Sequence, residues 1–330
     1  MKTEIVKIDS EHIEEDRIRR AGDIIKEGGL VAFPTETVYG LGGDALDADS
    51  SRKIYAAKGR PSDNPLIVHI ADFADLEKIV TEVPKEAVQL ADAFWPGPLT
   101  MILNKNEKVP YETTGGMDTV AIRMPSHPVA LAFIRAGGGY IAGPSANTSG
   151  KPSPTLAEHV ALDLDGKIPM ILDGGEVGIG IESTIVDLTE DVPMILRPGY
   201  ITPEMIEKVI GEVKVDPGII ASDSAKKPKA PGMKYKHYAP KADLVLVDGE
   251  SGAVVEKINA LAQEMEAQGK KVGIIATDET EKYYKTGEIL SIGARDDEDA
   301  IARHLYRILR EFDDMDVEQI YSESFETPRI

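Results

Sequence analysis

Over its first 200 residues the chain alternates short apolar runs of four or five residues with stretches of helical periodicity, and this alternation restricts it to an α/β architecture. The runs are Glu4–Ile8, Leu30–Phe33, Leu66–Ile70, Leu99–Leu103, Val120–Arg123, Tyr140–Gly143, Met170–Asp173, Thr184–Leu188 and Met194–Arg197. Between them, helices are predicted over Glu11–Lys26, Ser50–Lys58, Lys85–Phe94, Pro128–Ala136 and Pro203–Ile210. In the first of these, Ile13, Ile18, Ala21, Ile24 and Ile25 recur at the spacing of one buried helical face. Some strands follow one another with no helix between, as at 184–188 and 194–197, so the expected sheet is a twisted, open, mixed one.

Residues 212–240 break the pattern. Pro217, Pro228, Pro231, Pro240 and a lysine cluster interrupt any apolar periodicity there, which reads as a linker. From 241 onward a second, smaller α/β pattern begins: strand Leu244–Val247, helix Ala253–Ala267, strands Val272–Ala276 and Glu288–Ser291, helix Asp299–Phe312 and a last strand near Gln319–Tyr321. The expected organisation is therefore a larger α/β domain over 1–211, a linker over 212–240 and a smaller Rossmann-like C-terminal domain over 241–330.

The net charge of −20 makes the surface hostile to a phosphate backbone, so stable nucleic-acid binding is not expected. The acidity is uneven: 241–330 carry 11 Lys/Arg against 21 Asp/Glu, whereas 226–240 hold five lysines and no acid. The chain has no cysteine, which removes thiolate metal sites and a cysteine nucleophile together. No apolar run approaches the ~20 residues that span a bilayer, and no signal-peptide core follows Met1, so a cytoplasmic location is expected.

Phosphate-binding signatures of the commoner kinds, a Walker A loop or a Gly-x-Gly-x-x-Gly turn, are missing. Chemistry-bearing residues gather instead in five segments. Pro34-Thr35-Glu36-Thr37-Val38-Tyr39-Gly40-Leu41-Gly42 follows a strand and is either a ligand loop or a hydroxyl-rich turn around a buried tyrosine. Lys58-Gly59-Arg60-Pro61 sets two cations around a glycine, where they can converge on one anion; Lys58 also suits its own helix's C-terminus. Arg123 closes an apolar strand, a costly position unless it meets an ion-pair partner or a bound anion. The loop Gly143-Pro144-Ser145-Ala146-Asn147-Thr148-Ser149-Gly150, running on to Ser153, is an anion nest or a plain linker. The glycine-rich stretch from Gly174 to Gly180 leads through Glu182-Ser183-Thr184 to Arg197-Pro198-Gly199.

Taken in order, Pro34-Thr35-Glu36-Thr37, Lys58-Gly59-Arg60-Pro61, Asn64-Pro65-Leu66, His69, Ser145-Ala146-Asn147, Glu182-Ser183-Thr184 and Arg197-Pro198-Gly199 resemble the threonylcarbamoyl-adenylate synthase family, built on the YrdC-like fold. Pro231-Gly232-Met233-Lys234-Tyr235-Lys236-His237-Tyr238 and the C-terminal domain resemble its longer, two-domain branch. The resemblance implies a reaction in which L-threonine, bicarbonate or CO2 and ATP give threonylcarbamoyl-adenylate and pyrophosphate. Mg2+ accompanies the ATP, with no protein-borne metal site. The product passes to a separate transferase complex that modifies tRNA. By matching motifs, Thr37, His69, Arg123, Gly143 and Ser183 fall where the family contacts threonine. Arg60, Asn64, Thr119, Ser145, Ser153 and Arg197 fall where it contacts ATP, Lys58 and Arg60 are the catalytic pair, and Tyr235 closes over the nucleotide. Many family members carry Ser or Thr where this chain has Gly143. Two rivals to this reading are an RNA-binding module, against which the charge argues, and a carbamoyl-transfer enzyme with another acceptor.

Overall fold

The structure, a computed structural model, describes residues 2–217 and 238–325. They fall into two compact units: one is built from residues up to 217, and the other takes Ile179–Ile181 with residues from Tyr238 onward.

The first unit is organised on an 11-stranded sheet. Its strands are β1 (Glu4–Lys7), β2 (Val31–Phe33), β3 (Gly40–Asp44), β4 (Ile67–His69), β5 (Leu99–Asn104), β6 (Thr119–Arg123), β7 (Ile141–Ala142), β8 (Met170–Asp173), β9 (Thr184–Asp187), β10 (Met194–Arg197) and β11 (Lys214–Val215). The order β1-β8-β2-β3-β7-β4-β6-β5-β9-β10-β11 mixes parallel pairs such as β4 with β6 and antiparallel pairs such as β5 with β6. The expected mixed, open sheet is what forms.

Among the described residues these α-helices flank it: α1 (Glu15–Lys26), α2 (Ala48–Lys58), α3 (Lys85–Phe94), α4 (Pro128–Ala136), α5 (Ala157–Leu164) and α6 (Pro203–Ile210). Among the described residues, three apolar clusters hold these elements. The largest joins strand residues such as Val68, Met101 and Ile122 to Ile54 of α2, Leu90 of α3, Val160 of α5 and Ile206 of α6. A second packs Val31, Phe33 and Leu172 against Ile18 and Ile25 of α1 and Phe133 of α4. The third draws its buried residues from strands alone: Ile67, Ile102, Ala121, Ile185 and Leu196. Strand alternation puts His69 on the face of Ile67, and Thr119 and Arg123 on the face of Ala121.

Three departures from the sequence reading have local causes. Helix α1 starts at Glu15 rather than Glu11, because the Asp9 carboxylate accepts the Glu11 N–H at 2.9 Å and offers the backbone a turn instead. The segment read as a loop through Gly42 becomes strand β3 at Gly40, and glycine carries little strand signal. Lys214–Val215, within the proline-rich stretch, pairs with β10.

The second unit carries a four-stranded parallel sheet in the order β12-β15-β13-β14, formed by Asp243–Val247, Gln319–Glu323, Val272–Ala276 and Glu288–Ser291 respectively. Helices α7 (Ser251–Ala267) and α8 (Glu298–Asp314) accompany it, giving the expected second, smaller α/β domain. No described helix of either unit is long and apolar enough to cross a membrane.

Candidate active site

The register of the first sheet gathers polar residues at one end of its central strands. His69 and Arg123, the last residues of parallel strands β4 and β6, are direct cross-strand partners. Arg123 also stands opposite Thr100 near the start of antiparallel β5, and β5 places Leu99 opposite Thr184 of β9. Arg197 closes β10 beside Ile185. Residues 69, 100, 123, 184 and 197 thus meet at one end of neighbouring inner strands.

Arg123 is buried and held from three sides. Its Nε donates to the Gly97 carbonyl at 3.3 Å, one Nη to Thr37 Oγ1 at 2.8 Å and the other to Glu36 Oε1 at 2.6 Å. The ion pair foreseen as one explanation of this strand-end arginine therefore exists, and its partner is Glu36. Among the described residues three of the five guanidinium N–H groups find partners, so two remain to meet a ligand. Thr37 is fixed in turn by a 2.9 Å contact with Thr35 Oγ1, whose hydroxyl donates to the Val38 carbonyl. Tyr39 is fully buried and its hydroxyl ties this loop to the Gly175 carbonyl at 2.6 Å.

His69 lies edge-on to Phe33 with its Nδ1 unpartnered among the described residues. Burial, and then the Arg123 guanidinium, press its pKa down to about 3, so the ring is neutral throughout the physiological range. Gly143 donates its N–H to the Ile67 carbonyl at 2.8 Å. A Cβ at this position would stand 3.2 Å from the His69 ring, so glycine leaves that ring room which a serine or threonine would take up.

Ser183 and Arg197 are joined directly. Arg197 donates through Nε to the Ser183 carbonyl at 3.0 Å and through Nη2 to Ser183 Oγ at 3.1 Å, and the same hydroxyl lies 2.7 Å from Thr100 Oγ1. Thr100, fully buried, escaped the sequence reading because a threonine inside an apolar strand is an ordinary β residue.

The cations around Gly59 divide their work. Gly59 takes a left-handed conformation (φ 62°) that ends α2 and turns the chain between them. Lys58, 2% exposed, donates to the carbonyls of Ser145 and Asn147, while its own carbonyl accepts the Ser149 N–H at 2.9 Å. Arg60 instead grips the next loop, donating to the carbonyls of Asn64 at 3.2 Å and Pro65 at 3.0 Å. Asn64 is buried, and neither its amide nitrogen nor its oxygen has a partner among the described residues. Unsatisfied groups of this kind are expensive without a ligand or water. Ser153 donates to Glu182 Oε1. Thr119 sits at the opposite end of β6 from Arg123, ~13 Å along the same strand face. Tyr235 lies outside the described residues.

Comparison with known proteins places the chain in one family. A model described as telomere recombination, covering the Sua5, YciO and YrdC proteins, matches residues 23–199. A model of the threonylcarbamoyl-AMP synthase C-terminal domain matches residues 201–330. The chain is 52% identical over 316 residues to threonylcarbamoyl-AMP synthase of Pyrococcus abyssi, covering 96% of this chain and 91% of that protein. The chain belongs to the threonylcarbamoyl-AMP synthase family. The Bacillus subtilis member is 51% identical over 312 residues, 94% of this chain and 88% of its own length. The crystal structure of Pyrococcus abyssi Sua5 complexed with L-threonine superposes with a TM-score of 0.93 at 51% identity, covering 98% of this chain and 93% of that one. Among the described residues no group of three or more His, Asp or Glu could hold a metal ion.

Proposed function

We propose that the chain is an L-threonylcarbamoyladenylate synthase. It condenses L-threonine, bicarbonate or CO2 and ATP into threonylcarbamoyl-AMP and pyrophosphate, a nucleotidyl transfer carried out in the cytoplasm. Mg2+ enters as part of the ATP substrate. The adenylate is then passed to a transferase complex that modifies tRNA.

The observation that carries this reading is the Ser183–Arg197 hydrogen bond, because it joins a residue of the proposed threonine set to one of the proposed ATP set. On the threonine side, Arg123 offers two N–H donors to a carboxylate beside the neutral ring of His69, with Thr37 and Gly143 completing the wall. On the ATP side, Asn64 offers an amide that has no partner among the described residues, Arg60 and Arg197 offer guanidinium charge, and Ser145, Ser153 and Thr119 extend the set. The ~13 Å between Thr119 and Arg123 is a distance an extended nucleotide can cover.

The chemistry asks for alignment. The threonine ammonium gives up a proton to solvent, the neutral amine adds to CO2 and releases a second proton to give a carbamate, and the carbamate oxygen attacks the α-phosphorus of ATP as pyrophosphate departs. No protein nucleophile is needed, and the gain comes from proximity and from preorganised donors facing the phosphates. The test is pyrophosphate release measured with each substrate omitted in turn, together with the mass of the nucleotide product. Release that needs both threonine and bicarbonate is expected. Release indifferent to threonine would overturn the reading, and a carbamoylated acceptor other than threonine would transfer it to the rival reaction.

A further inference from the structure

A guanidinium in a buried site attracts any anion, and the proposed reaction brings three together: the threonine carboxylate, bicarbonate and the polyphosphate of ATP. Arg123 is not an isolated cation, however. Glu36 Oε1 lies 2.6 Å from its Nη2 and the Ser126 N–H donates to Oε2 at 3.1 Å, so the carboxylate is held in place from both ends. The side chains of Arg123 and Glu36 are 4% and 13% exposed, too deep for solvent to screen the pair strongly. Its net charge is zero, and it presents a positive and a negative group side by side.

We infer that Glu36 is a specificity-determining residue, which makes the Arg123 pocket select a zwitterionic α-amino acid over a plain anion. This rests on the proposed threonine role of Arg123. An α-amino acid carries the matching pair of charges on adjacent groups. Its carboxylate meets the two remaining N–H groups of Arg123, and its ammonium offsets the negative charge that Glu36 brings. A lone carboxylate, bicarbonate or phosphate finds the positive charge already neutralised, and on binding leaves an unbalanced negative charge in a buried site. The discrimination works through exclusion, which is how specificity among similarly attractive ligands is commonly obtained. Glu36 also keeps the phosphate chain of ATP out of the amino-acid pocket, although Arg197 of the ATP set is hydrogen-bonded to Ser183 of the threonine set.

The probe is 3-hydroxybutanoate, which is threonine without its amino group and cannot form a carbamate. In the full-length protein it should inhibit competitively against threonine but weakly. In Glu36→Gln the hydrogen-bond acceptor for Arg123 is kept and the charge removed. The ratio of the 3-hydroxybutanoate inhibition constant to the threonine KM should then fall by at least roughly tenfold, the lower end of what a neighbouring opposite charge does to a buried ionic equilibrium. Glu36→Asp, which keeps the charge, should hold the ratio near that of the unaltered protein. A residue that merely supported the fold would weaken both ligands and leave the ratio unchanged, and that result overturns the inference. Should Glu36→Gln fail to fold, calorimetric binding to the unaltered protein decides it: affinity for 3-hydroxybutanoate equal to that for threonine sinks the idea, and a deficit of about a hundredfold or more supports it. Absence of threonine-dependent pyrophosphate release in the unaltered protein would instead count against the functional reading itself.

Discussion

Arg197 donates to both the carbonyl and the hydroxyl of Ser183, so a side chain proposed to face ATP orients one proposed to face threonine. Residues sharing one hydrogen-bond network do not contribute independently. Arg197→Ala is expected to raise the KM for both substrates, whereas Ser183→Ala acts mainly on threonine. The double variant should lose less than the sum of the two single losses, by roughly 0.5–3 kcal/mol of coupling. Steady-state kinetics on the four proteins checks this, and strict additivity counts against a shared role.

Lys58 should matter to the fold as well as to the reaction. Its ammonium holds the carbonyls of Ser145 and Asn147, and its main chain takes the Ser149 N–H, so it clasps a loop more than 85 residues away in the sequence. Lys58→Met removes the clasp and leaves buried carbonyls unpaired, at about 1–3 kcal/mol for each group so stranded. The expected result is a lowered midpoint of thermal unfolding together with a ~10²–10³-fold fall in kcat. An unfolding midpoint equal to that of the unaltered protein would show that the loop does not depend on Lys58.

Much of this molecule is legible in the sequence, and what is not has physical causes. Helices such as Lys85–Phe94 and Pro128–Ala136 and strands such as Val272–Ala276 fall where apolar periodicity puts them. Strand β3 was hidden by its glycines, and β11, only two residues long, is too short to show any period. The site splits in the same way. Arg123 was conspicuous because an arginine ending an apolar strand needs a partner, but Glu36 lies 87 positions away and only the folded sheet brings the two together. Likewise Thr100 has no distinguishing context in the chain, and becomes part of the site through its contact with Ser183.

His69 makes a prediction about acid stability. Its folded pKa, about 3, lies below the ordinary histidine value of 6.5. As pH falls below 6.5 the unfolded chain takes up a proton that the folded protein refuses, so stability declines until the pH nears 3 and the folded form is protonated too. Above 6.5 both states are neutral and the residue contributes no pH dependence. Replacing it by Leu should flatten the dependence of unfolding free energy on pH between 6.5 and about 3. Denaturant titrations at several pH values in that window measure the slope, and identical slopes for the two proteins would contradict the assignment.

Asn64 offers the sharpest separation of function from stability. Its amide nitrogen and oxygen are both buried without partners among the described residues, in the loop that Arg60 holds by its carbonyls. A buried polar group without a partner costs stability, and its replacement by an apolar side chain of similar size can be neutral or favourable. Asn64→Leu is therefore expected to unfold at the same temperature as the unaltered protein or a higher one. The same substitution removes the hydrogen bonds that the amide is proposed to make with ATP, so the KM for ATP should rise by roughly 3–10-fold for each bond lost. Threonine binding measured without ATP should be unaffected. Thermal unfolding with and without ATP reads both effects in one experiment, because the stabilisation that ATP gives the unaltered protein should shrink in the variant. A variant that is destabilised without ligand but keeps its response to ATP would show that Asn64 serves the fold instead of the nucleotide.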